Sequence, residues 1–230
     1  MTGTEPPCGA GCGCVNTFSS KEAEADLKRY RSHGVEGATK ALVDAIKDEG
    51  IAGATLLDIG GGIGAIQLEL LGNGLAKSES VDATEAYVAV ARAEALRRGY
   101  ADRATHRFGT LNDLAAEIEA ADIVTLDKVI CCDPNVDELL DMVSSKARRM
   151  VGLIYPRVTW WNKSASRLIA AWCWITRDST RWHIHPEAAL DGQLRAAGFA
   201  RRVIDRTFIW NVSLYVRSSE RSRETGAATG

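Results

Sequence analysis

A glycine-rich segment and two nearby carboxylates are the part of this sequence most able to bind a ligand. The segment follows a short apolar run and contains Gly60, Gly61, Gly62 and Gly64. Residues without a Cβ atom let the backbone turn sharply and approach a ligand closely. If a helix follows, its first N–H groups face the same ligand. The segment therefore predicts a binding loop between a strand and a helix.

The two carboxylates indicate what the loop binds. Asp58 stands two residues before Gly60, and Asp82 ends the next apolar run. The pattern Gly60-x-Gly62-x-x-Ala65 also fits a dinucleotide fingerprint. However, Asp58 would repel a pyrophosphate and attract an ammonium group, and Asp82 is placed to accept hydrogen bonds from ribose hydroxyls. The sequence favours a ligand with an amino group and a ribose, with a dinucleotide-dependent oxidoreductase as the alternative.

Strands alternate with helices through the centre of the chain. The hydrophobic pattern predicts strands over 55–59, 80–82, 106–108, 123–126 and 150–155, with helices over 65–71, 85–98, 113–120 and 137–147. A helix over 186–197 and two closely joined strands, 203–204 and 208–216, follow. This order predicts an α/β fold, a Rossmann-like sheet of seven mostly parallel strands with helices on both faces and a terminal antiparallel pair.

The remaining segments divide the chain into four parts. Residues 1–18 are rich in Cys and Gly and predict a flexible leader. Residues 19–50 predict a helical cap, which opens at the hydroxyls of Ser19 and Ser20. Residues 51–216 form the predicted main domain, and residues 217–230 predict a disordered tail.

Composition limits the possible partners. The chain has 230 residues, a formal net charge of −2, 46% hydrophobic and 25% charged residues. We expect no binding of nucleic acid, because no general basic field is present. Apolar runs stay below the roughly 18 residues that a membrane span requires, and the N-terminal residues do not have the pattern of a secretion signal. We expect a cytoplasmic protein, and its oligomeric state is left open.

Three segments together resemble a known family. LLDIGGGIG, VDAT and DIVTLDKV are similar to motif I, the acidic second-strand motif and the fourth-strand motif of class I S-adenosylmethionine-dependent methyltransferases. The resemblance implies that S-adenosyl-L-methionine is the cofactor. It implies that the glycines line the methionine side, that Asp82 binds ribose, and that Thr110 and Leu111 flank the adenine, with Asp113 as a substitute for the missing acidic contact. The predicted cofactor-binding residues are Tyr30 (as part of a lid), Asp58, Gly60, Gly61, Gly62, Gly64, Asp82, Ala83, Thr110, Leu111, Asp127 and Lys128.

The acceptor site should lie where strands four and five end, because open α/β sheets bind ligands beyond their carboxyl edge. We predict Cys132, Asp133 and His185 as catalytic residues, since His185 offers a base near neutral pH. We predict Tyr155, Arg157 and Trp161 as substrate-binding residues. Structural roles remain open for several of them: Cys132 as a small buried hydrophobe, Arg157 as a solvated side chain, and His185 as a helix cap.

The acceptor itself is suggested by a second resemblance. The run ICCDP, a helix ending at Arg148-Arg149, and then Tyr155-Pro156-Arg157 are similar to a stretch of magnesium-protoporphyrin O-methyltransferases. This implies methylation of an oxygen on a fairly large apolar molecule. We therefore predict a small-molecule acceptor that is methylated on an oxygen of an apolar or aromatic compound.

Scattered cysteines keep another acceptor open. Cys8, Cys12 and Cys14 match no common metal-binding spacing, so no metal is predicted. Clustered thiols nevertheless suit a soft metalloid, which leaves an arsenic or thiol methyltransferase as an alternative. A non-catalytic cofactor-binding protein is the third possibility.

Overall fold

The computed structural model describes residues 18–159 and 183–218. The predicted leader and tail lie outside these ranges except for Phe18 and residues 217–218. Trp161 and the three N-terminal cysteines also lie outside them. Within the described ranges, no helix is both long and apolar enough to cross a membrane.

Helices and strands alternate along the chain, as the sequence predicts. The helices are α1 (Ser20–His33), α2 (Gly37–Asp48), α3 (Ala65–Gly72), α4 (Glu85–Arg97), α5 (Leu111–Leu114), α6 (Val136–Lys146) and α7 (Glu187–Ala196), with a 3-10 turn at Ile130–Cys132. The strands are β1 (Thr55–Ile59), β2 (Lys77–Asp82), β3 (Ala104–Phe108), β4 (Ala121–Asp127), β5 (Ala147–Pro156), β6 (Phe199–Arg206) and β7 (Trp210–Arg217).

The described strands form one sheet of seven in the order β3-β2-β1-β4-β5-β7-β6. Strands β1 to β5 are parallel. Strand β7 pairs antiparallel with both β5 and β6. The predicted fold, a mostly parallel Rossmann-like sheet with a terminal antiparallel pair, is confirmed.

Apolar side chains cover both faces of the sheet. One core packs Leu57 and Val124 with residues of α6 and α7, such as Leu140 and Leu190. The other core packs Leu56 with residues of α2 and α3. Burial on both faces explains why the central strands read as continuous apolar runs. Parallel pairing brings the carboxyl ends of β1, β2 and β4 to one edge, where the glycine loop lies.

Helix α5 differs from the prediction of a helix over 113–120. It begins earlier, at Leu111, and ends at Leu114. The hydroxyl of Thr110 accepts a hydrogen bond from the backbone N–H of Asp113, and the Asp113 carboxylate accepts one from the backbone N–H of Thr110. This capping box defines the start of the helix. It was not predicted from the sequence, because Thr110 and Asp113 were assigned to a contact with the adenine.

Candidate cofactor and acceptor site

Two glycines of the loop leave no room for a side chain. Gly60 has φ 66°, and a Cβ atom on it would lie 2.2 Å from Cγ2 of Val129. A Cβ atom on Gly61 would lie 2.9 Å from Cβ of Ser80 and 3.1 Å from Oδ2 of Asp58. Only glycine fits a backbone held this close to its neighbours. The loop therefore exposes main chain, rather than side chains, to the space above it.

Asp82 joins the loop to the end of β2. Its Oδ2 accepts a hydrogen bond from the N–H of Gly62 at 2.8 Å, and its Oδ1 accepts one from the N–H of Thr84 at 2.8 Å. Burial raises the pKa of Asp82, and these N–H donors partly offset the effect. The side chain of Thr84 is a further donor to this carboxylate, which leaves about one of its four lone-pair sites. Asp82 can therefore hold the loop and still accept from a ligand hydroxyl.

Asp58 has an oxygen that is left for a ligand. Its side chain is 1% exposed, and its Oδ1 accepts a hydrogen bond from Oγ1 of Thr125 at 2.6 Å. Among residues 18–159 and 183–218, Oδ2 has no hydrogen-bond partner. Burial, opposed by the hydrogen bond from Thr125 and assisted by the nearby charges of Asp127 and Asp82, raises the pKa of Asp58 to about 7. A buried acceptor without a donor is costly, so a cationic donor in this position would be strongly favoured.

A cavity of about 580 Å³ opens beside the loop. Its walls come from α1, α2, the loop, the end of β2 and the end of β4. The lining residues are Phe18, Asp26, Arg29, Tyr30, Gly34, Val35, Glu36, Thr39, Asp58, Gly60, Gly61, Gly62, Ile63, Ala65, Ile66, Asp82, Ala83, Thr84, Tyr87, Asp127, Lys128, Val129 and Cys132.

Most of the predicted cofactor residues meet in this cavity, but three do not line it. Gly64 lies behind the loop as the N-cap of α3, with φ 78°. Thr110 engages its hydroxyl in the cap of α5, and Leu111 is buried in the core. The expected adenine contact of Thr110, Leu111 and Asp113 is therefore not part of the described cavity wall.

Helix α1 supplies a wall that sequence reasoning largely missed. Tyr30 is buried, and its hydroxyl donates to Glu69 at 2.9 Å. The hydroxyl of Tyr87 donates to Asp26 at 2.6 Å. The ring of Phe18 lies edge-on to Tyr87, with centroids 5.4 Å apart. These contacts join residues that are far apart in the sequence. Of this wall, only the place of Tyr30 in a lid was predicted from the sequence.

Another missed residue, Thr39 of α2, connects the cap to β4. Its hydroxyl donates to Oδ2 of Asp127 at 2.6 Å. Nζ of Lys128 lies 3.1 Å from Oδ1 of Asp127 and donates to Oγ1 of Thr39 at 3.3 Å. Lys128 has φ 63°, a conformation that costs a non-glycine residue about 1 kcal/mol. Together, the contacts between Thr39, Asp127 and Lys128 fix the rim of the cavity where β4 ends.

Of the three predicted catalytic residues, Cys132 lines the cavity, whereas Asp133 and His185 contact each other and are not among the lining residues. Nε2 of His185 lies 2.9 Å from the carbonyl oxygen of Asp133, and the N–H of His183 donates to the carbonyl of Cys131 at 2.7 Å. Since a carbonyl only accepts, the first bond places a proton on Nε2. In the neutral ring, Nδ1 then carries the basic lone pair.

The predicted substrate residues are less well placed. Tyr155 is 1% exposed, packs in the core, and shares a hydrogen bond of 3.2 Å with Ser213. Its side chain points into the protein, so the prediction that it binds the acceptor is not supported. Arg157 donates to the carbonyl of Thr207 at 3.0 Å and so braces the β6–β7 turn. Trp161 lies outside the described residues.

Solved structures with the same architecture identify the fold. Magnesium protoporphyrin IX methyltransferase from Synechocystis PCC 6803 with bound S-adenosylhomocysteine (SAH) has a TM-score of 0.69 and 19% identity, covering 89% of this chain and 98% of that one. Its structure with bound S-adenosylmethionine has a TM-score of 0.62, 18% identity and coverage of 88% and 99%. The chain has the fold of the Rossmann-like methyltransferases.

A third structure agrees with this assignment. An O-methyltransferase family protein from Burkholderia thailandensis has a TM-score of 0.58 and 20% identity, over 79% of this chain and 57% of that one. No protein-family model and no curated protein sequence matches the chain. Identities this low establish the architecture, so the activity is argued from the site itself.

Proposed function

We propose that this protein is a methyltransferase that uses S-adenosyl-L-methionine to methylate an oxygen of a small apolar or aromatic molecule. The proposal rests on the buried carboxylate of Asp58, which lines the cavity beside the glycine loop and whose Oδ2 has no hydrogen-bond partner among the described residues. A nucleoside ligand with an amino group fits this arrangement. A pyrophosphate does not, because it would meet a second negative charge.

Two parts of the cofactor have a matching group in the cavity. The carboxylate of Asp58 would accept from its ammonium, and the carboxylate of Asp82 would accept from a ribose hydroxyl. The main chain of the glycine loop would lie directly against the cofactor, without a side chain in between. This assignment retains the predicted roles of Asp58 and Asp82 and drops those of Thr110 and Leu111.

The acceptor side must align an oxygen and remove its proton. S-adenosyl-L-methionine supplies a methyl group on a cationic sulfur, which a nucleophile displaces in line. His185 is our candidate base, because its hydrogen bond to Asp133 leaves the Nδ1 lone pair for a proton. Cys132 and Val129 would form the apolar wall beside the reacting oxygen. The O-methyltransferase named among the similar folds supports oxygen as the acceptor atom.

Calorimetry with SAH and with NADH tests the cofactor. We expect SAH to bind and NADH not to bind. Asp58→Asn should weaken SAH binding at least about tenfold, the cost of a lost charge-assisted hydrogen bond. Asp102→Asn, at an exposed aspartate, is the matched control and should bind SAH normally. NADH binding without SAH binding would instead indicate an oxidoreductase.

The pH dependence of the same titration is a sharper test. In the empty protein the pKa of Asp58 is about 7, so protonation competes with an ammonium ligand below this pH. SAH affinity should therefore rise from pH 6 to pH 8 and level off above that range. Asp58→Asn should remove this rise. A flat profile in the unmodified protein would show that Asp58 does not contact the charged ligand group.

A further inference from the structure

Four polar side chains form a buried row across the sheet, below the glycine loop. Asp58 of β1 pairs with Ser80 of β2 on one side and with Thr125 of β4 on the other. Ser80 in turn pairs with His106 of β3. Paired residues of neighbouring strands point to the same face. All four side chains are buried.

The two hydroxyls beside Asp58 behave differently. Thr125 donates to Oδ1 of Asp58 at 2.6 Å. Ser80 instead forms a hydrogen bond of 3.0 Å with Nδ1 of His106. A Cβ atom on Gly61 would lie 2.9 Å from Cβ of Ser80 and 3.1 Å from Oδ2 of Asp58. Ser80 and this oxygen therefore lie side by side under the loop, yet the hydroxyl of Ser80 is directed to His106.

We propose that His106 is a positioning residue that holds the hydroxyl of Ser80 away from Asp58, so that Oδ2 of Asp58 stays available to the ammonium of the cofactor. The proposal rests on the function proposed above and adds a residue of strand β3 to the proposed cofactor site. His106 acts through Ser80 and does not itself line the cavity among the described residues.

The chemistry requires Ser80 to donate and Nδ1 of His106 to accept. Burial, together with the charge of Arg92, lowers the pKa of His106 to about 4. The ring is therefore neutral near pH 7, with one acceptor nitrogen and one N–H. With the proton on Nε2, Nδ1 accepts a hydrogen bond from the hydroxyl of Ser80, which then has no second proton to donate to Asp58.

Two amide substitutions at position 106 provide a matched test. In His106→Asn an amide oxygen can take the place of Nδ1 and keep the Ser80 bond. In His106→Gln the amide reaches the place of Nε2 and leaves Ser80 to turn toward Asp58. We expect His106→Gln to raise the Kd of SAH about tenfold, whereas His106→Asn should stay within about twofold of the unmodified protein.

A double substitution then separates this role from simple support of the fold. Adding Ser80→Ala to His106→Gln removes the competing hydroxyl, so SAH affinity should return to within about twofold of the unmodified protein. A structural role predicts the opposite, because a second buried substitution would weaken binding further. An unrescued double variant would overturn the proposal. 5′-Methylthioadenosine, which lacks the amino acid part, should bind all these variants alike.

The unmodified protein offers an independent measurement. Nitrogen chemical shifts of the His106 ring should show the proton on Nε2, and a proton on Nδ1 would overturn the proposal even if a variant failed to fold. The two proposals fail in different ways. If the unmodified protein does not bind SAH, the proposed function is wrong; if it binds SAH and the rescue is absent, only the role of His106 is wrong.

Discussion

Helices α1 and α2 are neighbours in sequence, and the sequence predicts both as one cap over residues 19–50, yet they are held in different ways. Helix α2 belongs to the core. Its Leu42, Val43 and Ile46 are fully buried, and Leu42 packs so closely on Gly152 that a Cβ atom there would lie 2.9 Å from its Cδ1. Helix α1 buries only Ala23 and Tyr30.

Helix α1 is held in place mainly by polar contacts. Arg31 pairs with Glu94 at 2.6 Å, Tyr30 donates to Glu69, and Asp26 accepts from Tyr87. Contacts of this kind contribute about 1 kcal/mol each, less than a buried leucine. Helix α2 therefore maintains the fold, whereas α1 forms a cavity wall that should separate at a lower free energy than global unfolding.

The largest expected effect is on α2. Leu42→Ala should lower the free energy of unfolding by about 2–5 kcal/mol, because it leaves a cavity against the sheet. Leu27→Ala on α1, at a partly buried position, is the matched control and should cost about 1 kcal/mol. Urea unfolding measures both. Equal losses would show that the two helices are held alike.

An intermediate effect is expected at Glu94, which is buried and accepts from Arg31, Arg97 and Arg98. Hydrogen bonds from Arg97, and also from Arg31 and Arg98, hold its pKa well below the usual range, although burial opposes them. Glu94→Gln should lower the free energy of unfolding by about 1–2 kcal/mol at pH 7. The stabilisation is present above the unfolded pKa of about 4.3, so the difference should shrink as the pH falls below that value.

Substitutions of two arginines that donate to Glu94 test whether the contact with Glu94 holds α1 in place. Arg31 lies on α1, whereas Arg97 lies on α4 together with Glu94. Arg31→Gln should speed hydrogen exchange at the backbone amides of α1, and Arg97→Gln should leave these rates nearly unchanged. The same acceleration in both variants would contradict the view that the Arg31 contact fastens the wall.

The smallest effect is expected at Tyr30. Tyr30→Phe keeps the ring beneath the guanidinium of Arg98, which lies 4.8 Å from the ring centroid, and removes only the hydrogen bond to Glu69. The loss should be about 1 kcal/mol and should appear mainly as faster release of SAH, measured by stopped flow. A change in global unfolding without a change in release would place Tyr30 with α2 in the core.

The sequence by itself determined the parts of the molecule that depend on neighbouring residues. Strand β1, the glycine loop and α3 follow from an apolar run, residues without Cβ atoms and a helical period, and the positions of Asp58 and Asp82 come with them. The order of strands and helices predicted the parallel sheet, because short connections leave few ways to cover both of its faces.

Tertiary structure alone decided which side chains meet. The row of Thr125, Asp58, Ser80 and His106 depends on strand register, and no local pattern marks residues on four separate strands as neighbours. The same holds for the contact of Thr39 with Asp127. Tyr155 was misjudged for a related reason: its place near a strand end suggested the site, but both faces of β5 are covered, so its side chain packs in the core.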